Sequence, residues 1–322
     1  MTIPFRSSGS AYRQSQTASS SSLSLRSPSQ PRHEEEESSL PPVVVPSSVM
    51  SKAVAAAREA LEQMCRDSNM FQNNPLRSIP RIQPDDLLLG NRLGQGGYCM
   101  VNEVTHQSGK GEPNRTYALK RLKHKVLKDS GEFRYGVMDL AIEAAFLANL
   151  QHPNIIRIHG ISTQAFGDNS NERDVGEGAY GVGEELRGDG FYLVLDVLSE
   201  SLTDRIVRWK TTQHRVVAAR LKKSTNTSGG ASNGGSLRSL LSFQSNQEER
   251  RLRTECLLER IRTLLPIARA LEYLHCLKFM YRDLKQDNVG FDRTTGVIKL
   301  FDFGMASTSR VRCDPSGSRR CM

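Results

Sequence analysis

The sequence predicts an α+β fold: a small antiparallel sheet with one helix, followed by a mainly helical part. Three stretches carry that expectation. Leu87 to Val104 reads as a strand, a glycine turn and a strand, and Thr116 to Leu122 reads as a third strand after a polar loop. Asp139 to Leu150 places Leu140, Ala144, Leu147 and Leu150 at helical spacing, with Asp139 near the helix start. From Glu248 to Phe279 the helical period returns through Leu252, Leu257, Ile261, Leu264, Leu271 and Leu274.

Taken in order, the first 33 residues are rich in Ser and Arg and contain no acidic residue, so residues 1–50 are expected to be a disordered tail ending in a Pro-rich linker. Organelle transit peptides share that composition, but no clear amphipathic helix accompanies it here, and a plain tail on a cytoplasmic or nuclear protein is the simpler reading. Residues 51–66 then carry Val54, Ala57, Leu61, Met64 and Cys65 at helical spacing, with Ser51 as N-cap. This short helix is expected to lay its stripe on the domain that follows, or on a regulatory partner.

Residues 87–322 form the expected domain. After the helix at Asp139 to Leu150, His152-Pro-Asn-Ile-Ile156 leads into another strand, and Phe191 to Leu198 is a buried one. Two inserts lengthen the domain without adding core: 164–190, Gly-rich and acidic, and 207–247, which takes in the end of a basic helix running from near Ser201 through Arg220 and a Gly/Ser/Asn linker over Ser224 to Ser236. Pro266 predicts a kink or a fresh helix start, leaving Arg269 to His275 as the intact part of the last helix.

The net charge of +9 is spread unevenly over loops of opposite sign, which describes a solvated surface and gives no expectation of nucleic-acid binding. Six cysteines without C-x-x-C spacing point to free thiols rather than a metal site or a disulfide framework. No apolar run approaches the ~18 residues of a transmembrane segment.

The chemistry concentrates in Tyr281-Arg-Asp-Leu-Lys-Gln-Asp-Asn288 and Phe301-Asp-Phe-Gly304. An acid at Asp283, an amide at Asn288 and a second acid at Asp302 supply a base and two oxygen ligands for a hard cation. Upstream, Gly94, Gly96 and Gly97 let backbone N–H groups approach phosphate oxygens, although a plain hairpin turn has the same composition. Lys120 lies on the third strand, where a lysine is ordinarily a surface residue. Glu143 lies beside the helix stripe, either solvated or paired with Lys120.

In order and spacing these stretches resemble the protein kinase family over Leu87 to Ala306. Gly94-x-Gly96 with Val101 is similar to the glycine-rich loop, and Ala118-Leu-Lys120 to the lysine-bearing strand. Glu143, nine residues before His-Pro-Asn, is similar to the helix glutamate, Tyr281 to Asn288 to the catalytic loop, and Asp302-Phe-Gly304 to the metal-binding triplet. The resemblance implies a two-lobed fold and a serine/threonine kinase that uses ATP and Mg²⁺ on a protein substrate. It implies that the glycine loop covers the phosphates, that Lys120 held by Glu143 pairs with them, and that Asn288 and Asp302 ligate Mg²⁺. Asp283 would take the hydroxyl proton, and Lys285, in the form typical of the serine/threonine branch, would neutralise γ-phosphate charge.

The chain departs from the family pattern in four places. Cys99 stands at the third glycine position, Tyr281 where His is commoner, and Gly290 where an aliphatic side chain commonly lies beneath adenine. Twenty residues follow Asp302 and none resembles an Ala-Pro-Glu segment, so the second lobe is expected to be truncated, with apolar surface exposed at the break. Ser307, Thr308 and Ser309 are the hydroxyls nearest Arg282 that a regulatory phosphate would use. The competing reading is a kinase-like protein that binds nucleotide or a partner, through its tail or inserts, without transferring phosphate.

Overall fold

The computed structural model describes residues 24–25, 43–68, 71, 75–107, 114–162, 178–180, 190–211 and 235–308. In chain order the first elements are strands β1 (Ser24–Leu25) and β2 (Val43–Val45), helix α1 (Ser47–Asp67), and strands β3 (Arg81–Ile82), β4 (Leu87–Gln95), β5 (Cys99–His106) and β6 (Arg115–Leu122). Helices α2 (His124–Lys128) and α3 (Ser130–Asn149) follow, then β7 (Ile158–Ser162), β8 (Gly178–Tyr180), β9 (Tyr192–Leu195) and β10 (Leu198–Ser201). The remainder comprises helix α4 (residues 202–211), helix α5 (Gly235–Cys276) and strands β11 (Phe279–Met280), β12 (Val289–Asp292), β13 (Ile298–Leu300) and β14 (Ser307–Thr308).

A seven-stranded sheet in the order β1-β4-β5-β6-β9-β7-β3 organises the first half. All its pairings are antiparallel except β3 on β7. Side chains alternate between its faces with the period of two that a pleated strand imposes. Cys99, Val101, Ala118, Leu122, Leu193 and Leu195 join the main core with α3. Leu87, Val104, Leu119, Tyr192 and Val194 form a separate cluster on the opposite face. Lys120 shares the parity of Ala118 and Leu122, so its strand position turns it toward α3 and buries it, rather than leaving it at the surface.

Helix α3 starts at Ser130, nine residues before the expected Asp139. Asp129 is its N-cap, and its Oδ1 accepts from the backbone N–H groups of Gly131 and Glu132 at 2.8 Å each. The stripe expected on one side is also too narrow: Glu143, Ala144, Ala145, Phe146 and Leu147 are all buried. A stretch buried all round, as 143–147 is, needs partners on both sides. The sheet is one, and α1 is the other.

Helix α1 itself runs from Ser47 rather than Ser51, immediately after Pro46, and Ser51 instead bonds back to the Ser47 carbonyl at 2.9 Å. Its buried residues Met50, Ala53, Ala57 and Leu61 form one stripe, with two alanines that permit close approach. Within the tail read as disordered, β1 pairs with β4, and β2 pairs with β8 from the first insert. Residues 164–177 and 181–189 of that insert lie outside the described residues.

The strand expected over Phe191 to Leu198 is divided: β9 ends at Leu195, and β10 belongs to a second sheet, β10-β12-β13. Asp196 marks the break. Its carboxylate accepts from the Arg157 N–H at 2.8 Å and from Lys299 at 2.6 Å, and lies 2.7 Å from His159 Nε2. Burial works against its charge, but these partners outweigh it and hold the carboxyl down at about 2. Lys299 also reaches Asp292 at 3.0 Å, so one cation ties the break between sheets to the β12–β13 hairpin.

Helix α5 corrects two further expectations. It carries Pro266 inside its length, so no fresh helix starts there, and it begins at Gly235, inside the stretch 224–236 read as flexible linker and well before the helical period expected from Glu248. Pro266 removes one backbone donor, and the turns on either side of it remain helical. Its core contacts come from Ile267, Ala270 and Leu274, at the end that packs on β11 and β13, whereas Leu257, Ile261 and Leu264 are exposed. Residues 212–234, including most of the second insert, lie outside the described residues.

The cap on α3 is directly testable. Asp129→Ala should cost about 1 kcal/mol of folding stability in urea titrations, and Asp129→Asn only a small fraction of that, because Asn caps as well as Asp.

Candidate active site

Lys120 on β6 and Glu143 on α3 meet as a buried ion pair, at 2% and 1% exposure. Lys120 Nζ also lies 3.1 Å from Asp302 Oδ1, joining the sheet, the helix and the segment after β13. Glu143 Oε1 faces the backbone N–H of Phe303 at 3.4 Å, so the glutamate touches the strand lysine and the Asp302-Phe-Gly304 turn together. Burial works against the Lys120 charge, but Asp302 and Glu143 outweigh it, and the ammonium holds its proton well above the ordinary lysine range. Burial likewise holds the Glu143 carboxyl above the carboxylate range, despite the pull of Lys120.

The stretch Tyr281 to Asn288 supplies the opposite side. Asp283 Oδ2 accepts from Lys285 Nζ at 2.6 Å and from Asn288 Nδ2 at 2.8 Å, so acid, lysine and amide form one connected group. The same Asn288 amide donates to the Asp283 carbonyl at 3.1 Å, closing the turn on itself. Asp287 is held by the Thr203 hydroxyl at 2.7 Å, which anchors the turn to α4. Asn288 is fully buried, and its Oδ1 has no hydrogen-bond partner. The Phe301 N–H donates to the Asn288 backbone carbonyl at 3.0 Å, which sets the residue before Asp302 against Asn288; a buried carbonyl oxygen without a donor and a carboxylate that is 14% exposed suit a hard cation, so Asn288 and Asp302 fit a divalent metal. Among the described residues no cluster of three or more His, Cys, Asp or Glu offers an alternative.

The backbone is strained at the same place. Arg282 and Asp302 both have φ of 64°, in the left-handed region that side chains disfavour. Tyr281 packs edge-on against Phe303 with ring centroids 5.0 Å apart, and its hydroxyl donates to the Phe301 carbonyl. Tyrosine in place of the commoner histidine thus gains a second attachment to the Asp302 segment. Arg282 Nε donates to the Met305 carbonyl at 2.7 Å. Ser307 and Thr308 are paired in β14 with β11, and Ser309 lies outside the described residues.

The glycines fall where the hairpin needs them. Gly94 pairs with Val101 across β4 and β5, and the Gly96 N–H donates to the Cys99 carbonyl at 2.7 Å. Gly97 lies in the bend between those two residues. Cys99 opens β5, so the third glycine position is accommodated as strand. Val101 pairs with Lys120, and Ala118, two residues before the lysine, shares its face. At Gly290 a Cβ would come within 2.7 Å of Leu198 Cδ1 and 3.2 Å of the Glu200 carbonyl, so Leu198 occupies the space a side chain there would need.

Sequence reasoning missed Asp139 as a site residue. It lies one helical turn before Glu143, and a Cβ on Gly304 would come within 2.3 Å of its Oδ1, so only glycine permits that approach. Burial pushes the Asp139 carboxyl up to about 6; Lys120 pulls it down and Asp302 adds to the rise. The i, i+4 relation to Glu143 was the available signal.

The family model described as protein kinase domain matches residues 88–314. A mitogen-activated protein kinase kinase kinase of Physcomitrium patens is 26% identical over 230 residues, covering 71% of this chain and 20% of that protein. A serine/threonine-protein kinase of Saccharomyces cerevisiae is 51% identical over 43 residues, covering 13% of this chain and 6% of that protein. The chain therefore spans a fifth or less of the length of these curated relatives.

Asp139 yields a pH test. Its folded-state value of about 6 lies above the ordinary 3.8, so the unfolded chain releases this proton first, and the contribution to stability is lost as pH rises from about 4 to about 6. Asp139→Asn should gain stability relative to the wild type across that window and hold the gain at higher pH. A difference that stays constant from pH 4 to 7 in urea titrations would contradict the assignment.

Proposed function

The chain belongs to the protein kinase family, and on that premise we propose that it transfers the γ-phosphoryl group of ATP to a serine or threonine hydroxyl of a protein substrate. The observation that carries the reading is the simultaneous assembly of Lys120 with Glu143 and Asp302, and of Asp283 with Lys285 and Asn288. An inactive arrangement of the same residues would leave the buried lysine without its glutamate.

In this reading Gly94, Gly96 and Gly97 bring backbone N–H groups over the phosphates, while Val101 and Ala118 supply apolar surface beside them. Lys120, fixed by Glu143, pairs with the α- and β-phosphates. Asn288 Oδ1 and the Asp302 carboxylate would hold Mg²⁺, which when bound neutralises charge on the transferring group. Asp283 orients the attacking hydroxyl and accepts its proton as the new O–P bond forms and the bond to the departing ADP oxygen breaks. Lys285, 2.6 Å from Asp283, is placed to offset negative charge on the phosphoryl oxygens. The two relatives are named as a serine/threonine-protein kinase and a kinase of protein kinases, which supports a protein hydroxyl as acceptor.

The test uses labelled ATP, Mg²⁺ and a mixed serine/threonine peptide library. Asp283→Ala should lower turnover by ~10²-fold or more while keeping the thermal stabilisation given by Mg-ATP, because it removes proton acceptance and orientation whereas the Asn288 amide keeps its bond to the main-chain carbonyl of residue 283. Stabilisation by Mg-ATP with no transfer from the wild-type chain would favour a nucleotide-binding protein instead. Transfer confined to tyrosine-only peptides would overturn the serine/threonine assignment.

A further inference from the structure

The matched family region begins at residue 88, yet the element that covers the outer side of α3 comes before it. Helix α1 lays Met50, Ala53, Ala57 and Leu61 into the main core, and Leu76 and Ile79 follow into the same core. The segment then joins the sheet, where β3 pairs in parallel with β7 and the Ile161 N–H donates to the Pro80 carbonyl at 3.0 Å. Both ends of this extension are therefore anchored, one on the helix that carries Glu143 and one on the sheet that carries Lys120.

Phe71 lies between those anchors, 1% exposed, and its ring touches two elements at once. It meets Phe146 of α3 edge-on at 5.4 Å and stacks on Phe279 of β11 at 5.4 Å, while Phe146 and Phe279 meet edge-on at 5.0 Å. Cys65 at the end of α1 donates its thiol to the Phe71 carbonyl at 2.8 Å, which fixes the ring relative to the helix. Phe146 lies three residues, about one turn, beyond Glu143. Phe279 lies two residues before Tyr281, and Asp283 follows two residues later. Three rings in mutual contact thus link the glutamate helix to the strand that feeds the proposed base.

We propose that helix α1, Phe71 and residues 76–79 together are a built-in positioning element that holds α3 where Glu143 meets Lys120 and sets it in register with the Asp283 turn. The element acts through Phe146 and Phe279 and touches no reacting atom. Without it, α3 would expose the outer side of its buried 143–147 stretch to water and be held from the sheet side alone. Glu143 bonds both Lys120 and the Phe303 N–H, so a displaced α3 would leave Lys120 with Asp302 alone and free the Asp302-Phe-Gly304 turn from the helix, and loosening α3 should be felt at the site rather than dissipated locally. The inference rests on the phosphotransfer reading only for its catalytic consequence; the hold on α3 stands by itself.

The experiment compares Phe71→Ala with Val104→Ala, which removes apolar bulk from the cluster on the opposite face of the sheet, away from α3. Both should lower Tm. Only Phe71→Ala should raise backbone hydrogen exchange over residues 140–147, by about tenfold or more, and lower kcat by a similar factor with a smaller change in the KM for ATP. Should Phe71→Ala fail to fold, Phe71→Leu is compared with Val104→Ala in the same way. Equal exchange over 140–147 in the two variants overturns the proposal. So does enhanced exchange with unchanged kcat, which would leave Phe71 a purely structural residue. If the wild-type chain transfers no phosphate at all, the phosphotransfer reading fails, and the exchange comparison still decides whether the extension holds α3.

Discussion

The Lys120–Glu143 pair is the constraint on which the rest of the structure depends. Neither charge tolerates burial alone, since an unpaired ammonium or carboxylate in an apolar interior costs several kcal/mol even after relaxation. Their partnership therefore requires β6 and α3 to hold one relative position, and the surrounding core is arranged to provide it. Asp302 enters the same site because Lys120 has a second acceptor within reach, which couples the first half of the fold to the segment after β13. The Phe303 N–H on Glu143 closes that loop of contacts.

A second set of charges holds the two sheets together. Asp196 ends β9, and its carboxylate gathers Arg157 and His159 from the start of β7 and Lys299 from β13. Nearby, Asn154 donates its side-chain amide to the Ile298 carbonyl at 2.8 Å, and the Ile156 N–H donates to the Leu300 carbonyl at 2.8 Å. The His-Pro-Asn turn is thus a bracket between α3 and the β12–β13 hairpin, not merely a helix terminator. Because that hairpin ends one residue before Phe301, the bracket also limits where Asp302 can lie.

Much of this was legible along the chain. Lys120, Glu143, Asp283, Asn288 and Asp302 were identifiable from residue type, order and spacing, and the structure brings the five into two connected groups. The hairpin around the glycines was legible because period-two alternation and turn residues are local signals. Where reading failed, a partner distant in sequence had intervened. The stripe on α5 pointed to Leu257, Ile261 and Leu264, but only the end of the helix that meets β11 and β13 is covered. The start of α3, by contrast, was placed nine residues late although its first turns carry a one-sided stripe of Phe133, Val137 and Leu140 with Arg134 and Tyr135 exposed, because Gly131 and Gly136 weaken the helical signal there.

The sequence by itself determined which chemical groups this protein carries and in what order, because strand parity, helix period and the five-residue spacing of Asp283 and Asn288 are properties of a local stretch of chain. Tertiary structure alone decided that Asp139 lies against Gly304, that Leu198 fills the space over Gly290, and that Phe71 joins Phe146 to Phe279. These contacts link residues far apart in the chain. Periodicity shows that a face will be buried, but which face meets which is settled only when the packed elements exclude water together.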